Sequence, residues 1–102
     1  MVRSASDGMA RRQDALDALE HDFLAERAAS LGRAGEKMER ALNRLAESDA
    51  EAAEGGERRL KEAVDAVYAY FIQRELCGLR RHDDIIRQYG IPRRVLVRLG
   101  AR

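Results

Sequence analysis

The chain has 102 residues and a mass of 11.5 kDa, which allows one domain at most. Its 46 apolar residues include 17 alanines, so the core is thin, and the 19 basic and 18 acidic side chains leave little room for a walled catalytic cleft. The single proline and the lack of long alternating runs of β-branched residues argue against a sheet. We therefore expect a single all-α domain over residues 1–102 that is not an enzyme and needs no cofactor.

The cysteine content and the apolar runs bear on the compartment. Cys77 is the only cysteine, which excludes a disulfide within the chain and fits a reducing compartment. Residues 1–15 contain no apolar block of the kind found in a signal peptide. The longest apolar run, residues 66–72, has seven residues, far fewer than the roughly 20 needed to span a bilayer. We expect a cytoplasmic protein that does not enter a membrane.

The first predicted element is one long helix over residues 10–53, after a flexible segment 1–8. Its apolar positions alternate spacings of four and three over three heptads, which predicts a coiled-coil-like packing face. These positions are Leu24, Ala28, Leu31, Gly35, Met38, Leu42 and Leu45. Gly32 and Gly35 interrupt the helix, and a break there is the alternative. Because the heptad phase is the same on both sides of the glycines, we favour a continuous helix.

The second predicted element is a helix over residues 58–79 that folds back on the first. Residues 47–57 hold five acids and no base and include Gly55-Gly56, which is typical of a turn. Antiparallel packing about this turn pairs residues whose numbers sum to about 109. It places Met38 opposite Phe71, and Gly35 opposite Arg74 and Glu75.

The two helices differ greatly in length. At 1.5 Å per residue the first is roughly 60 Å long and the second about 30 Å. The half of helix one around Leu16–Leu24 therefore extends beyond the hairpin, and its apolar residues need a cover. The C-terminal segment and a second copy of the chain are both candidates. We expect a homodimer because the extension and the alanine-rich core leave apolar surface to bury.

The C-terminal segment is predicted to form two short helices, 82–89 and 92–99, packed as a corner against the hairpin. A helix, a short turn with a glycine and a second helix resemble a helix-turn-helix in spacing. Arg93, Arg94 and Arg98 would then project outward as nucleic-acid contacts. The alternative is a helical corner whose arginines are merely solvated. Arginine content alone is not informative, since the basic set is 17 arginines and two lysines.

Four charged residues fall on the predicted packing faces. Glu20 and Arg27 lie within the apolar arc of helix one, and Arg74 and Glu75 interrupt that of helix two. Because an unpaired buried charge costs several kcal/mol, we expect the four to form a structural ion cluster between the helices. The spacing of the histidines and carboxylates matches no metal-ligand signature. Cys77 is more consistent with a buried core residue than with a nucleophile beside His82.

The run YFIQRELCGL over residues 70–79, followed by His82, Ile85-Ile86, Tyr89 and Ile91-Pro92, resembles a group of short bacterial proteins of unknown function. Residues 18–35 are similar to the same group. The resemblance covers most of the chain. It implies an all-helical cytoplasmic protein and no particular activity. The leading interpretation is thus a non-enzymatic helical interaction or structural protein, and the alternative is a small nucleic-acid-binding protein.

Overall fold

The computed structural model describes residues 5–51 and 55–100, and this part of the chain is helical with short connections and no strand. Four helices follow one another along the described residues. They are α1 (Ala5–Glu51), α2 (Gly56–Leu76), α3 (Asp83–Tyr89) and α4 (Arg93–Gly100). The long α1 packs along α2, and the two short helices follow. This confirms the predicted all-α fold with a long helical hairpin.

Helix α1 is continuous through Gly32 and Gly35, as the common heptad phase predicted. It begins at Ala5, so the expected flexible segment 1–8 is corrected for residues 5–8, which belong to the helix. Residues 1–4 lie outside the described part of the chain, and so does the predicted helix end at residue 53. With 47 residues in α1, the molecule measures 80 × 22 × 20 Å.

Helix α2 is shifted toward the N-terminus relative to the predicted range 58–79. Gly55 precedes it with a φ of +84°, and Gly78 follows it with a φ of +88°. Glycine adopts this left-handed backbone without the steric cost that a side chain imposes, so both positions mark helix boundaries. The N–H of Cys77 bonds the carbonyls of Gln73 and Arg74, which closes the last turn of α2.

The core lies between α1 and α2 and under the C-terminal helices. Its buried apolar residues are Met38, Ala41, Leu45, Ala63, Val64, Ala66, Val67, Tyr70, Ile85, Ile91 and Val95. Phe71 packs at the edge of this core and is half-buried. The residue of α2 that faces Gly35 is Tyr70, whose Cε1 lies 3.1 Å from where a Cβ would stand. This corrects the expectation that Gly35 makes room for Arg74 and Glu75.

The C-terminal helices pack on the hairpin. Helix α4 contacts α2 through the fully buried Val95, and an ion pair between Arg98 and Glu57 holds the end of α4 at the start of α2. The short helices therefore return along α2 and do not cover the N-terminal half of α1. Pro92 stands just before α4, and its carbonyl accepts hydrogen bonds from the N–H groups of Val95 and Leu96.

Candidate interaction surface

The N-terminal half of α1 carries large apolar side chains that no other described part of the chain covers. Their exposed fractions are 61% for Met9, 58% for Leu16, 65% for Leu19, 59% for Phe23 and 55% for Leu24. Met38, on the same helix, is 0% exposed. We call residues 5–28 of α1 the overhang. The C-terminal segment, one of the two covers that the sequence suggested, is excluded because it packs on α2.

The overhang exists because α2 is too short to reach it. The contact between Gly35 and Tyr70 fixes an antiparallel register in which paired residue numbers sum to about 105. In this register Leu76, the last residue of α2, is level with about residue 29 of α1. Residues 5–28 therefore extend about 35 Å beyond the hairpin as a single helix.

The exposed apolar face of the overhang roughly continues the buried face of the hairpin around α1. Leu16 and Met38 are 22 positions apart, which at about 100° per residue amounts to six turns and a remainder of about 40°. Leu24 lies two heptads before the buried Met38. The overhang thus presents the face that binds α2 in a stretch of α1 that α2 does not reach.

The overhang is electrically asymmetric along its length. Arg11 and Arg12 lie near its start, and residues 14–26 then carry five acids and no lysine or arginine. The acids are Asp14, Asp17, Glu20, Asp22 and Glu26. The guanidinium of Arg27 lies 4.8 Å from the centre of the Phe23 ring, so this cation covers part of the aromatic face.

The structure does not bring the predicted four-residue ion cluster together. Among the described residues no ion pair joins Glu20 or Arg27 to α2, and Glu20 is exposed. The reason is the register. With paired numbers summing to about 105, Glu20 would need a partner near residue 85, which lies beyond the end of α2. Arg74 and Glu75 have partners elsewhere.

The partner of both Arg74 and Glu75 is His82, the residue before α3. Nε of Arg74 donates to Nδ1 of His82 at 3.2 Å, and Nε2 of His82 lies 2.9 Å from Oε2 of Glu75. Since Nδ1 accepts, the geometry is that of the neutral imidazole with its proton on Nε2. The ring also stacks on Phe71 with centroids 4.1 Å apart. These contacts anchor α3 to the end of α2.

The same contacts bear on Cys77 and His82, for which the sequence favoured a buried core cysteine over a nucleophile. Both ring nitrogens of His82 are engaged by other side chains. Cys77 is only half-buried, so the expectation of a buried core cysteine is corrected. No cluster of three or more metal-ligating side chains occurs in residues 5–51 and 55–100 as far as they are described. None of the described helices is both long enough and apolar enough to cross a membrane.

Arg98 links α4 to α2. Arg93, Arg94 and Arg98 are all exposed on α4, and Nη1 of Arg98 also binds Oε1 of Glu57 at 2.5 Å. The hydrogen bond from Arg98 is the main cause that lowers the pKa of Glu57. Arg98 is thus exposed like the other two and has a carboxylate partner within the chain. Sequence reasoning missed this pair because its members lie 41 positions apart.

A tyrosine pair joins α2 to α3. The rings of Tyr70 and Tyr89 meet edge to face with centroids 6.2 Å apart. Burial is the main cause that raises the pKa of Tyr89, and the adjacent Tyr70 raises it further. Tyr70 thus contacts Gly35 on one helix and Tyr89 on another. It is a structural residue of the three-helix junction.

Comparison with known proteins places the chain in a family. The model of a family of unknown function, DUF6665, matches residues 3–102, and the chain belongs to this family. No curated protein and no solved structure matches the chain significantly. This match confirms that the chain resembles a group of proteins of unknown function.

Proposed function

We propose that this protein is a non-enzymatic helical interaction protein that works as a homodimer, and that the overhang is the surface through which two copies associate. The observation that carries the proposal is the exposure of Met9, Leu16, Leu19 and Phe23 along one face of a helix. Folded monomers rarely leave a contiguous apolar stripe of this kind in water, and such stripes mark sites of association.

The energetic argument is the removal of apolar surface from water. Each leucine or phenylalanine that becomes buried contributes roughly 1.5–3 kcal/mol when burial is complete. In a twofold dimer the same residues are buried on both copies, so each side chain counts twice. This gain offsets the entropy lost on association. A second copy also matches the overhang in length, since both are the same helix.

A cytoplasmic, non-catalytic role is supported by the distribution of polar groups. At the junction of α2 and α3, His82 binds Arg74 and Glu75, so these titratable side chains are engaged with one another. Cys77 is a free thiol, which fits a reducing compartment.

Nucleic-acid binding through α4 has less support. Helices α3 and α4 have seven and eight residues, and Val95 is buried against the hairpin. Arg98 already has a carboxylate partner. We retain the homodimer as the function that the geometry supports best.

The test is the mass of the protein in solution, measured by light scattering over a concentration series. We expect twice 11.5 kDa for the wild type. Leu16→Glu should give the single mass, because it places a charge in the centre of the apolar stripe. Ala18→Glu adds the same charge on the opposite side of the helix and should leave the dimer intact. A wild type with the single mass at every concentration refutes the proposal.

A further inference from the structure

The overhang has features that specify how the two copies are arranged, given the homodimer proposed above. We propose that the copies pair antiparallel along residues 5–28, with the twofold axis at Leu16. Each hairpin then lies at an opposite end of the dimer. The inference rests on the proposed function and goes beyond it by defining the orientation and the residue pairs of the interface.

The first argument is geometric. The overhang runs from residue 5 to about residue 28, so its midpoint is at residues 16–17. Antiparallel pairing over its whole length therefore places Leu16 opposite Leu16 of the second copy. Met9 is then level with Phe23, and the same contact is repeated on the other side of the axis. Met9, Leu16 and Phe23 are thus arranged symmetrically about the axis, while Leu19 and Leu24 are level with Gln13 and Gly8.

The second argument is charge complementarity. In this register paired numbers sum to about 32, so Arg12 is level with Glu20 of the second copy, twice. In a parallel pair each residue is level with itself, which sets Glu20 beside Glu20 and Arg12 beside Arg12. Since opposite charges attract and like charges repel at these distances, the charge pattern of the overhang favours the antiparallel arrangement.

The third argument concerns the hairpin. The apolar face of the overhang continues along α1 into the face that α2 covers at Met38 and Ala41. A parallel dimer would therefore direct the two α2 helices toward each other between the two copies of α1. An antiparallel dimer keeps the two hairpins at opposite ends and avoids this overlap.

The experiment uses charge reversals in the full chain and measures the dimer dissociation constant at low salt by analytical ultracentrifugation. Arg12→Glu sets two glutamates level with each other at two places, and Glu20→Arg does the same with arginines. We expect each single variant to weaken the dimer on the order of tenfold. The double variant Arg12→Glu/Glu20→Arg restores the attraction across the interface and should return to within about threefold of the wild type.

Matched controls separate this effect from a change in net charge or in folding. Arg11→Glu and Asp22→Arg make the same charge changes on the side of the helix away from the stripe, and they should leave the dissociation constant unchanged. Circular dichroism confirms that each variant keeps its helix content. In a parallel dimer each single variant replaces a pair of like charges with another pair of like charges, so the dissociation constant should not change. A dissociation constant that none of the variants changes would therefore overturn the antiparallel arrangement. A chain that is monomeric from the start refutes the homodimer itself.

Discussion

Two glycines in α1 have different structural roles, although the sequence presents them alike. A Cβ added at Gly32 would meet no atom within 4 Å, whereas one at Gly35 would stand 3.1 Å from Cε1 of Tyr70. Tyr70 is buried and its ring also meets Tyr89, so it has little freedom to retreat. Gly32 therefore lowers the stability of the helix, because glycine is a poor helix former, and has no packing role. Gly35 is required because the Tyr70 ring packs closely against it.

We predict opposite outcomes for alanine at these two positions. Gly32→Ala should stabilise the protein by up to about 1 kcal/mol, because alanine is the better helix former. Gly35→Ala gains the same propensity and loses it to the clash with the Tyr70 ring, so it should be less stable than Gly32→Ala by about 1 kcal/mol or more. Urea unfolding of both variants measures the difference.

A double variant checks the cause of that difference. Tyr70→Leu removes the ring edge, so alanine at position 35 should cost less in the Tyr70→Leu background than in the wild type. Equal effects of Gly35→Ala in both backgrounds would show that Tyr70 is not responsible.

How well the buried residues could be predicted from the sequence depends on how wide the apolar arc of each helix is. The seam of α1 is narrow, and Met38 and Leu45 are buried as predicted. The arc of α2 is broad because it faces both α1 and α4. Its centre therefore could not be fixed to within one residue, and Tyr70 lies in the core where Phe71 was expected. The contacts of His82 with Arg74 and Glu75 depend on a loop path that no periodicity reveals.

At the scale of the helices, α4 is held on α2 by a buried side chain and by one surface ion pair. Val95 is 0% exposed, and Arg98 binds Glu57 in the first turn of α2. Glu57 has its pKa lowered below the ordinary 4.5, chiefly by the hydrogen bond from Arg98. Ionised Glu57 therefore favours the docked helix. This contribution is present above pH 4.5 and is lost as the pH falls through the lowered pKa.

We predict that Arg98→Ala weakens the attachment of α4 near neutral pH and has a smaller effect at an acidic pH below the lowered pKa of Glu57, where that carboxyl is protonated. Hydrogen-exchange protection of the α4 amides, compared between wild type and variant at each pH, measures this attachment. Arg93→Ala, on the same helix, is the matched control and should leave protection unchanged at both values. A loss of protection that is equal at the two pH values would contradict the assigned role of the ion pair.

The helices themselves were largely readable from the sequence, and their mutual placement less so. Helix-forming residues, Gly55 and Gly78 set the elements to within a few residues. The ion cluster of Glu20, Arg27, Arg74 and Glu75 was wrong because it required α2 to reach residues it cannot span. A helix pattern specifies which face is apolar, whereas the register between two helices depends on contacts such as that of Gly35 with Tyr70.

At the scale of the whole molecule, the shape is dominated by one long helix. The chain extends 80 Å in one direction and about 20 Å in the others, with a radius of gyration of 21.0 Å. A compact domain of this length has a radius of gyration near 13 Å. The radius of gyration of this chain is larger because the overhang extends beyond the hairpin. The sequence predicted this extension from the unequal helix lengths, which depend only on residue counts.

The overall length of the dimer follows from the arrangement that we propose. Two copies of 80 Å that overlap antiparallel along overhangs of about 35 Å span roughly 125 Å. A parallel dimer places the hairpins side by side and remains about 80 Å long. Small-angle X-ray scattering at a concentration where the protein is dimeric should give a maximum dimension near the larger value. Leu16→Glu, as a monomer, should return it to about 80 Å, since the overhang remains part of α1. A dimer with the shorter dimension would require the two overhangs to point in the same direction.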